Sequence, residues 1–149
     1  MSDIRFLRFE ELTPQLLYDI LAMRQRVFQV EQQRYYLDTD GKDQVALHGL
    51  VEDGGNLIGY LRILPPGVTY PTAAIGRVAI EKPHRGKGIG QALMKAALEA
   101  IEDCWPQSGV TLSAQLPTIP FYERLGFKTV GESYMEAGIK HIKMTHQPH

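Results

Sequence analysis

Residues 75–90 read IGRVAIEKPHRGKGIG, and this stretch decides the fold. It begins as an apolar strand, passes through a polar loop with glycines at positions 86, 88 and 90, and continues into the amphipathic run QALMKAALEAI. Glycine tolerates positive φ and lets a ligand approach the backbone closely. A helix N-terminus presents unpaired N–H groups and the positive end of the helix dipole. The stretch therefore predicts a strand–loop–helix unit that binds an anion, most often a phosphate, at residues 85–90.

The spacing of these glycines excludes two common phosphate loops. A Walker loop needs four residues between its first glycine and a Gly-Lys-Ser/Thr sequence, and that run is absent. The dinucleotide fingerprint G-x-G-x-x-G is also absent, because the third glycine comes one residue early. Glycines that only make a turn remain the alternative for the loop taken by itself. The strand before it and the helix after it favour the phosphate loop.

The overall composition limits the class of protein. The chain has 149 residues, 44% of them hydrophobic, which predicts one domain spanning residues 1–149 with a core of its own. A net charge of −1 gives no electrostatic reason to expect nucleic acid or an anionic membrane as partner. Cys104 is the single cysteine, no apolar run approaches a membrane span, and the N-terminus has no signal-peptide pattern. We therefore expect a cytoplasmic protein. Its oligomeric state stays open between a monomer and a homodimer.

The order of predicted elements indicates a layered α/β (α+β) domain. A helix is expected from Thr13, an N-cap followed by Pro14, to about Val30. A second helix is expected at 88–103 and a short one between 117 and 126. Alternating or apolar runs predict strands at 4–9, 45–52, 57–64, 73–81, 110–114, 127–131 and 134–144, with Gly138 marking a turn or bulge in the last one. Hairpin strands followed by β–α crossovers predict a mixed central sheet with helices on both faces.

Three further features carry charge or a titratable ring. Arg24 interrupts the apolar face of the first helix, and Glu31 follows on the same side if the helix continues. A charge that faces a core must be paired or must face a ligand cleft, and both interpretations stay open. The loop 35–43 has three aspartates without the remaining calcium ligands of an EF-hand, so it is either a solvated loop or a site that recognises a cationic amine. His48, within a predicted strand, is typical of a packed and hydrogen-bonded residue.

Two motifs give the chain a family resemblance. Residues 85–90, RGKGIG, resemble the R/Q-x-x-G-x-G/A signature of the GCN5-related N-acetyltransferases, the GNAT family. Downstream, residues 121–127, FYERLGF, resemble that family's F-Y-x-x-x-G-F segment. Two motifs in the correct order are far more specific than either alone, and the resemblance covers essentially the whole chain. Similarity to the ElaA-like branch lies in residues 24–32, His48, and residues 113–115, 131–132 and 138–142.

The chain departs from that branch at a few positions. The branch often carries cysteine and proline where this chain has Arg34 and Tyr35, and a proline where it has Lys140. These differences leave the expected fold unchanged. They do not allow acceptor specificity to be carried over from the branch.

The resemblance implies a GNAT fold and direct transfer of an acetyl group from acetyl-CoA to an amine on a small molecule or a peptide. Tyr122 matches the general acid of the family. The loop residues that would hold the diphosphate of acetyl-CoA are Arg85, Gly86, Lys87, Gly88, Ile89 and Gly90. Backbone groups of Val78, Ala79 and Ile80 would contact the pantetheine arm and the thioester oxygen.

The general base is not decided by the sequence. Glu31, His48 and His141 are the candidates, and Arg24 and Glu31 are candidates for contact with the acceptor. A non-catalytic acyl-CoA sensor of the same fold is the main alternative, and a same-fold acyltransferase that makes lactone signals is a further one. The five histidines are scattered without metal-ligand spacing, so no metal is expected.

Overall fold

In the computed structural model, which describes residues 2–148, seven strands form a single sheet. They are β1 (Asp3–Arg8), β2 (Leu47–Asp53), β3 (Asn56–Leu64), β4 (Ala73–Ile80), β5 (Val110–Gln115), β6 (Lys128–Glu136) and β7 (Ile139–His146). Their order across the sheet is β1-β2-β3-β4-β5-β7-β6. Only β4 and β5 are parallel neighbours, and the other pairs are antiparallel. The mixed sheet expected from the sequence is confirmed.

Helices cover both faces of this sheet. The helix α1 (Pro14–Arg24) begins where Thr13 Oγ1 accepts a hydrogen bond from the amide of Leu16 at 3.1 Å, as the sequence predicted. Its buried residues pack with Leu50 and Tyr60 of the sheet. The helix α2 (Ile89–Cys104) packs on the opposite face, against residues that include Leu61. A short helix, α3 (Ile119–Glu123), precedes β6.

The first helix changes its geometry before it ends. Residues Gln25–Val30 form a π-helical turn rather than the continuous α-helix that the sequence predicted. The amide of Glu31 donates to the carbonyl of Arg26 at 2.9 Å, five residues back, instead of four. Arg24 and Glu31 were predicted to share one face because a regular α-helix was assumed. The wider turn breaks that period. As a result, Arg24 is buried and Glu31 is exposed.

The strand predicted over residues 134–144 is divided in two at Gly138, where a turn or bulge was predicted. The chain reverses at Ala137 and Gly138, which have positive φ of 51° and 78°, as a two-residue hairpin turn requires. The turn divides the segment between β6 and β7, which pair with each other. β6 continues the strand predicted at 127–131 to Glu136, and the remaining strands and α2 differ from the predicted bounds by a residue or two at their ends. Within residues 2–148, no helix has the length and apolar character needed to cross a membrane.

Candidate active site

A cleft of about 1220 Å³ opens where β4 and β5 separate. The two strands pair only at Ala73 with Val110 and at Ala74 with Thr111. Beyond these pairs, no strand within residues 2–148 partners the edge of β4 that faces β5. Backbone groups there need other hydrogen-bond partners, so the divergence creates a place where a ligand can bind to the main chain.

A β-bulge in β4 lies where the strands separate. Between Gly76 and Ala79, β4 advances three residues while β3 advances two. Arg77 lies inside this bulge with a positive φ of 54°, a conformation that is costly for a residue with a Cβ. Its Nε donates to Asp38 Oδ1 at 2.8 Å and its Nη2 donates to the Asp38 carbonyl at 3.0 Å. The loop that carries Asp38 therefore holds the bulge in place.

The glycine loop lies at one end of the cleft. Gly86 and Gly88 have positive φ of 77° and 81°, and Gly88 is the N-cap of α2. A Cβ added at either position would meet no atom within 4 Å, whereas a Cβ on Gly90 would lie 3.6 Å from the ring of Phe121. Backbone conformation therefore demands glycine at the first two positions. The space beside them is open to a ligand.

Most of the residues predicted to bind the cofactor line this cleft. They are Val78, Ala79, Ile80, Arg85, Gly86, Gly88, Ile89 and Gly90. Lys87 is exposed and is not part of the lining. We call this part of the cleft, made of residues 78–90 with Phe121 and Tyr122, the glycine-loop half.

Arg85 connects the glycine loop to the π-helical turn. Its Nε donates to the carbonyl of Ile80 at 2.8 Å, and its Nη2 donates to Glu31 Oε2 at 2.7 Å. Both side chains of this ion pair are partly exposed. The partner of Glu31 is therefore Arg85, and Arg24 and Glu31, whose partners the sequence left open, are not paired with each other.

Tyr122 lies on the cleft wall next to the glycine loop. The rings of Phe121 and Phe127 pack against it edge-on, with centroids 5.0 and 5.9 Å away. Burial raises the pKa of Tyr122 to about 12, which keeps the phenol protonated at neutral pH. Within residues 2–148 the hydroxyl has no hydrogen-bond partner, so its proton is free to be donated to a ligand.

His141 lines the same cleft from β7. Its Nδ1 lies 2.8 Å from the carbonyl oxygen of Ile139. Because a carbonyl only accepts, Nδ1 carries the proton and the neutral ring keeps the lone pair on Nε2. The carboxylate of Glu136 lies 3.5 Å from Nε2. This arrangement leaves Nε2 able to accept a proton and places a negative charge beside the imidazolium that would result.

His48 is held in a different place. It is buried and does not line the cleft. Nδ1 lies 2.6 Å from the Tyr60 hydroxyl and Nε2 lies 2.9 Å from the Asp43 carbonyl, so both ring nitrogens are used. Burial lowers the pKa of His48. The geometry is that of a packed, hydrogen-bonded histidine.

Arg24 also lies outside the cleft lining. Its guanidinium is fully buried and donates to Asp38 Oδ2 and to Asp43 Oδ1, each at 2.7 Å. Burial opposes its charge, but the hydrogen bond with Asp43 and the nearby carboxylates raise the pKa of Arg24 above its usual value. Of the two interpretations of this residue, the geometry supports the structural ion pair.

The acidic loop 35–43 is paired internally rather than open to an amine. Asp40 accepts from Arg62 Nη1 and Nη2, both at 2.8 Å, and Arg62 Nη1 also donates to Asp43 at 3.0 Å. Burial alone would raise the pKa of Asp40, but the hydrogen bonds from Arg62 hold it well below its usual range. The three aspartates are therefore neutralised by three arginines, Arg24, Arg62 and Arg77. Arginines within strands were a signal for this network, but sequence reasoning missed their partners.

The other end of the cleft is formed by side chains from distant segments. We call it the hairpin half; its lining includes Gln32, Arg34, Tyr36, Lys42, Thr69, Tyr70, Ser113, Gln115, Glu136, Ile139 and His141. The ring of Tyr134 stacks on that of His141 with centroids 6.3 Å apart, and its hydroxyl is hydrogen-bonded to that of Ser113. Sequence reasoning assigned a role in the site to His141 and a possible one to the loop 35–43, which contains Tyr36 and Lys42, but none to the other residues. Within residues 2–148, no group of three or more His, Cys, Asp or Glu side chains could hold a metal ion.

Comparison with known proteins places the whole chain in one family. A family model described as an acetyltransferase (GNAT) domain matches residues 15–147. The protein ElaA of Escherichia coli strain K12 is 38% identical over 149 residues, which cover 99% of this chain and 97% of ElaA. The crystal structure of ElaA has a TM-score of 0.93 to this structure and covers 99% of this chain and 100% of its own.

Solved structures extend the comparison. An acyl-CoA N-acyltransferase from Pseudomonas aeruginosa is 38% identical, with a TM-score of 0.93, and covers 98% of this chain and 99% of its own. An aminoglycoside 6′-N-acetyltransferase, solved in complex with coenzyme A, shares the fold at a TM-score of 0.72 and 17% identity, covering 96% of each chain. The family match, the identity along nearly the full length and the common fold agree with the two motifs on which the resemblance rested. The chain therefore belongs to the GNAT acetyltransferase family, within its ElaA-like branch.

Proposed function

We propose that this protein is an N-acetyltransferase that moves an acetyl group from acetyl-CoA directly to an amine, with Tyr122 as general acid and His141 as general base. One observation carries the proposal. The glycine loop, the partner-free hydroxyl of Tyr122 and the free Nε2 of His141 line the same cleft. Binding site, acid and base are thus available to a single reaction.

The glycine-loop half suits the donor. Gly86 and Gly88 leave open space where side chains would stand, and the first turn of α2 offers unpaired N–H groups to a diphosphate. The unpaired edge of β4 can hydrogen-bond the amide groups of a pantetheine arm, as in strand addition. The aminoglycoside acetyltransferase of the same fold was solved with coenzyme A, which supports this choice of carrier.

The proposed reaction needs two proton movements. The amine nitrogen forms a bond to the acetyl carbon as the carbon–sulfur bond breaks. The amine proton passes to Nε2 of His141, and the sulfur takes a proton from the Tyr122 hydroxyl. Burial, which raises the pKa of Tyr122 to about 12, keeps that proton in place until the sulfur develops negative charge.

His141 is the strongest of the three candidates for the base. Glu31 is engaged with Arg85 at 2.7 Å, and His48 lies outside the cleft with both ring nitrogens hydrogen-bonded. Glu31 also lines the cleft, but its carboxylate is held by the Arg85 guanidinium, whereas no arginine or lysine in the described part of the chain lies on Nε2 of His141. Glu136, 3.5 Å from its Nε2, would stabilise the protonated ring.

Two measurements test the proposal together. Acetyl-CoA should raise the melting temperature of the protein, and thiol release should follow when amines are added from a panel of amino acids, peptides, polyamines and aminoglycosides. No thermal shift at millimolar acetyl-CoA would remove the proposed donor. A shift without thiol release from any amine would instead indicate an acyl-CoA sensor.

A further inference from the structure

We propose that Arg34 binds a carboxylate of the acceptor, so that the acceptor is an amine that also carries a carboxylate, of which a free amino acid is the simplest example. This inference rests on the proposed acetyl transfer and names its second substrate. It is carried by the state of the Arg34 guanidinium, by the charges around it and by its position in the cleft.

Arg34 has a charge without a partner. Its side chain lines the hairpin half of the cleft, and Nε is buried with no hydrogen-bond partner. Within residues 2–148, no carboxylate lies within ion-pair distance of its guanidinium. A partly buried guanidinium without a partner is costly, and a ligand carboxylate would remove that cost.

The other arginines and the lysine of the cleft are already engaged. Arg62 and Arg77 are hydrogen-bonded to aspartates, and Arg85 is bonded to Glu31. Lys42 Nζ donates to the Thr69 hydroxyl at 3.0 Å. Arg34 is therefore the arginine that remains available to an acceptor.

The carboxylates of the cleft do not offset this charge. Asp40 is bonded to Arg62 and Glu31 is bonded to Arg85. Glu136 lies beside His141 Nε2, where it serves the protonated ring. Lys42 Nζ donates to a neutral hydroxyl and keeps its positive charge. With Arg34 and Lys42 against Glu136, the hairpin half has a surplus of positive charge, which favours an acceptor with an anionic group.

The position of Arg34 relates its guanidinium to the base. A Cβ built on Gly138 would lie 3.5 Å from Nη1 of Arg34, so the guanidinium lies against the β6–β7 turn. His141 follows three residues later in β7. His141, a proton acceptor for the amine, is part of this hairpin. The Arg34 guanidinium, a planar donor group that matches a carboxylate, lies against its turn.

The proposed carboxylate site is separate from the glycine loop and from Tyr122, which serve the donor.

The test compares matched acceptors and matched variants. Thiol release from acetyl-CoA is measured for the standard L-amino acids and for their carboxamides, which keep the amine and lose the negative charge. We expect the best amino acid to exceed its carboxamide in kcat/KM by about 10- to 100-fold, as for loss of a charge-assisted hydrogen bond. The variant Arg34→Gln should lose that preference by lowering kcat/KM for the acid alone, and Arg34→Lys should keep part of it. Arg5→Gln, which removes an exposed guanidinium paired with Glu52 outside the cleft, should change neither value.

Either of two kinetic results would overturn the inference. One is that the carboxamides react as well as the acids. The other is that Arg34→Gln lowers kcat/KM equally for the acid and for its carboxamide. Calorimetric binding of the same acids and amides to the protein saturated with coenzyme A separates this inference from the proposed function. Carboxylate-dependent binding that Arg34→Gln abolishes, without thiol release, would sustain the site and reject the transferase. Turnover of amines without a carboxylate preference, or no binding of any acid, would reject the site.

Discussion

The glycine-loop half and the hairpin half of the cleft are built from different groups. In the glycine-loop half the binding groups are main-chain amides, supplied by one continuous stretch from β4 into α2 and made accessible by Gly86 and Gly88. In the hairpin half the groups are side chains from the π-helical turn, the loop after it, β5 and the β6–β7 hairpin. The main-chain groups of the glycine-loop half therefore come from one local stretch. The side chains of the hairpin half come together only when distant segments meet.

Under the proposed function, this difference suits the two halves to different substrates. Main-chain amides bind a diphosphate whatever the rest of the donor is, so the glycine-loop half suits a carrier common to a family. Side chains can be exchanged without changing the backbone, so the hairpin half suits an acceptor that differs between relatives. Arg34 lies in the half that can vary. The predictions below test this division, beginning with the largest effect.

Gly88→Val should have the largest effect because it disturbs the backbone of the glycine loop. Gly88 has a φ of 81°, which a β-branched residue cannot adopt without strain. We expect the affinity for acetyl-CoA to fall by about 10²- to 10⁴-fold, as for the loss of two charge-assisted hydrogen bonds. Calorimetric titration with acetyl-CoA measures the loss.

The matched control is Gly55→Val in the β2–β3 turn. Gly55 has a φ of 83°, and, as at Gly88, a Cβ there would meet no atom within 4 Å. Both variants should lose a similar free energy of unfolding, about 1–3 kcal/mol. Only the loop variant should lose the cofactor, and retention of full affinity by Gly88→Val would refute main-chain binding in this half.

Tyr122→Phe should lower kcat by about 10²- to 10³-fold and leave the acetyl-CoA affinity unchanged, because it removes one proton and no packing surface. Since burial raises the pKa of Tyr122 to about 12, ionisation of this phenol should not reduce wild-type activity up to about pH 10. Steady-state rates and a parallel binding titration check both statements. Tyr18→Phe, at an exposed tyrosine, is the control, and equal turnover by the two variants would exclude the general-acid role.

His141→Gln should lower kcat/KM by about 10²-fold, because the amine loses its proton acceptor. The glutamine can still hydrogen-bond in the hairpin half, so the affinity for acetyl-CoA in the glycine-loop half should be unaffected. Thiol-release rates compared with a binding titration separate the two halves. A variant with normal turnover would show that the base is another group or that water takes the proton.

Glu31→Gln tests the contact between the π-helical turn and the glycine loop. The variant frees Arg85 from an ion pair of which both members are partly exposed. An exposed pair of this kind contributes up to about 1 kcal/mol, so we expect acetyl-CoA to bind about two- to fivefold more tightly, with turnover nearly unchanged. A titration with acetyl-CoA measures the affinity, and thiol-release rates measure the turnover. A large loss of turnover with unchanged affinity would make Glu31 the base in place of His141.

Of the five variants, Asp40→Asn should have the smallest effect on activity and the largest effect on how stability depends on pH. Hydrogen bonds from Arg62 outweigh burial and hold the pKa of Asp40 well below its usual range. The ionised carboxylate therefore stabilises the fold above the unfolded pKa of about 3.9 and loses this contribution as the pH falls through its lower folded pKa. The variant should lose about 1–2 kcal/mol at pH 7 and show a flatter decline in melting temperature between pH 5 and 2. Asp103→Asn, at an exposed position in α2, should retain the wild-type slope.

The success of sequence reasoning differs between the two halves for a physical reason. Residues 75–90 predicted a strand, a glycine loop and a helix, and the structure contains each of them, because φ preferences and helix N-termini are properties of neighbouring residues. The charge on the face of α1 was recognised as needing a partner. The partner of Arg24 was left open, since Asp38 and Asp43 lie 14 and 19 residues away in a loop without a regular period.

The amino-acid sequence by itself determined the family, the mixed sheet with helices on both faces and the place of the glycine loop, because these follow from periodicity, glycine conformation and two contiguous motifs. Only the tertiary structure decided, for residues 2–148, which charges are neutralised, which of the candidate bases is a histidine on the cleft wall and which arginine of the cleft lining has no partner. Those properties depend on distances between side chains that are far apart along the chain, and on burial, which no local pattern of residues encodes.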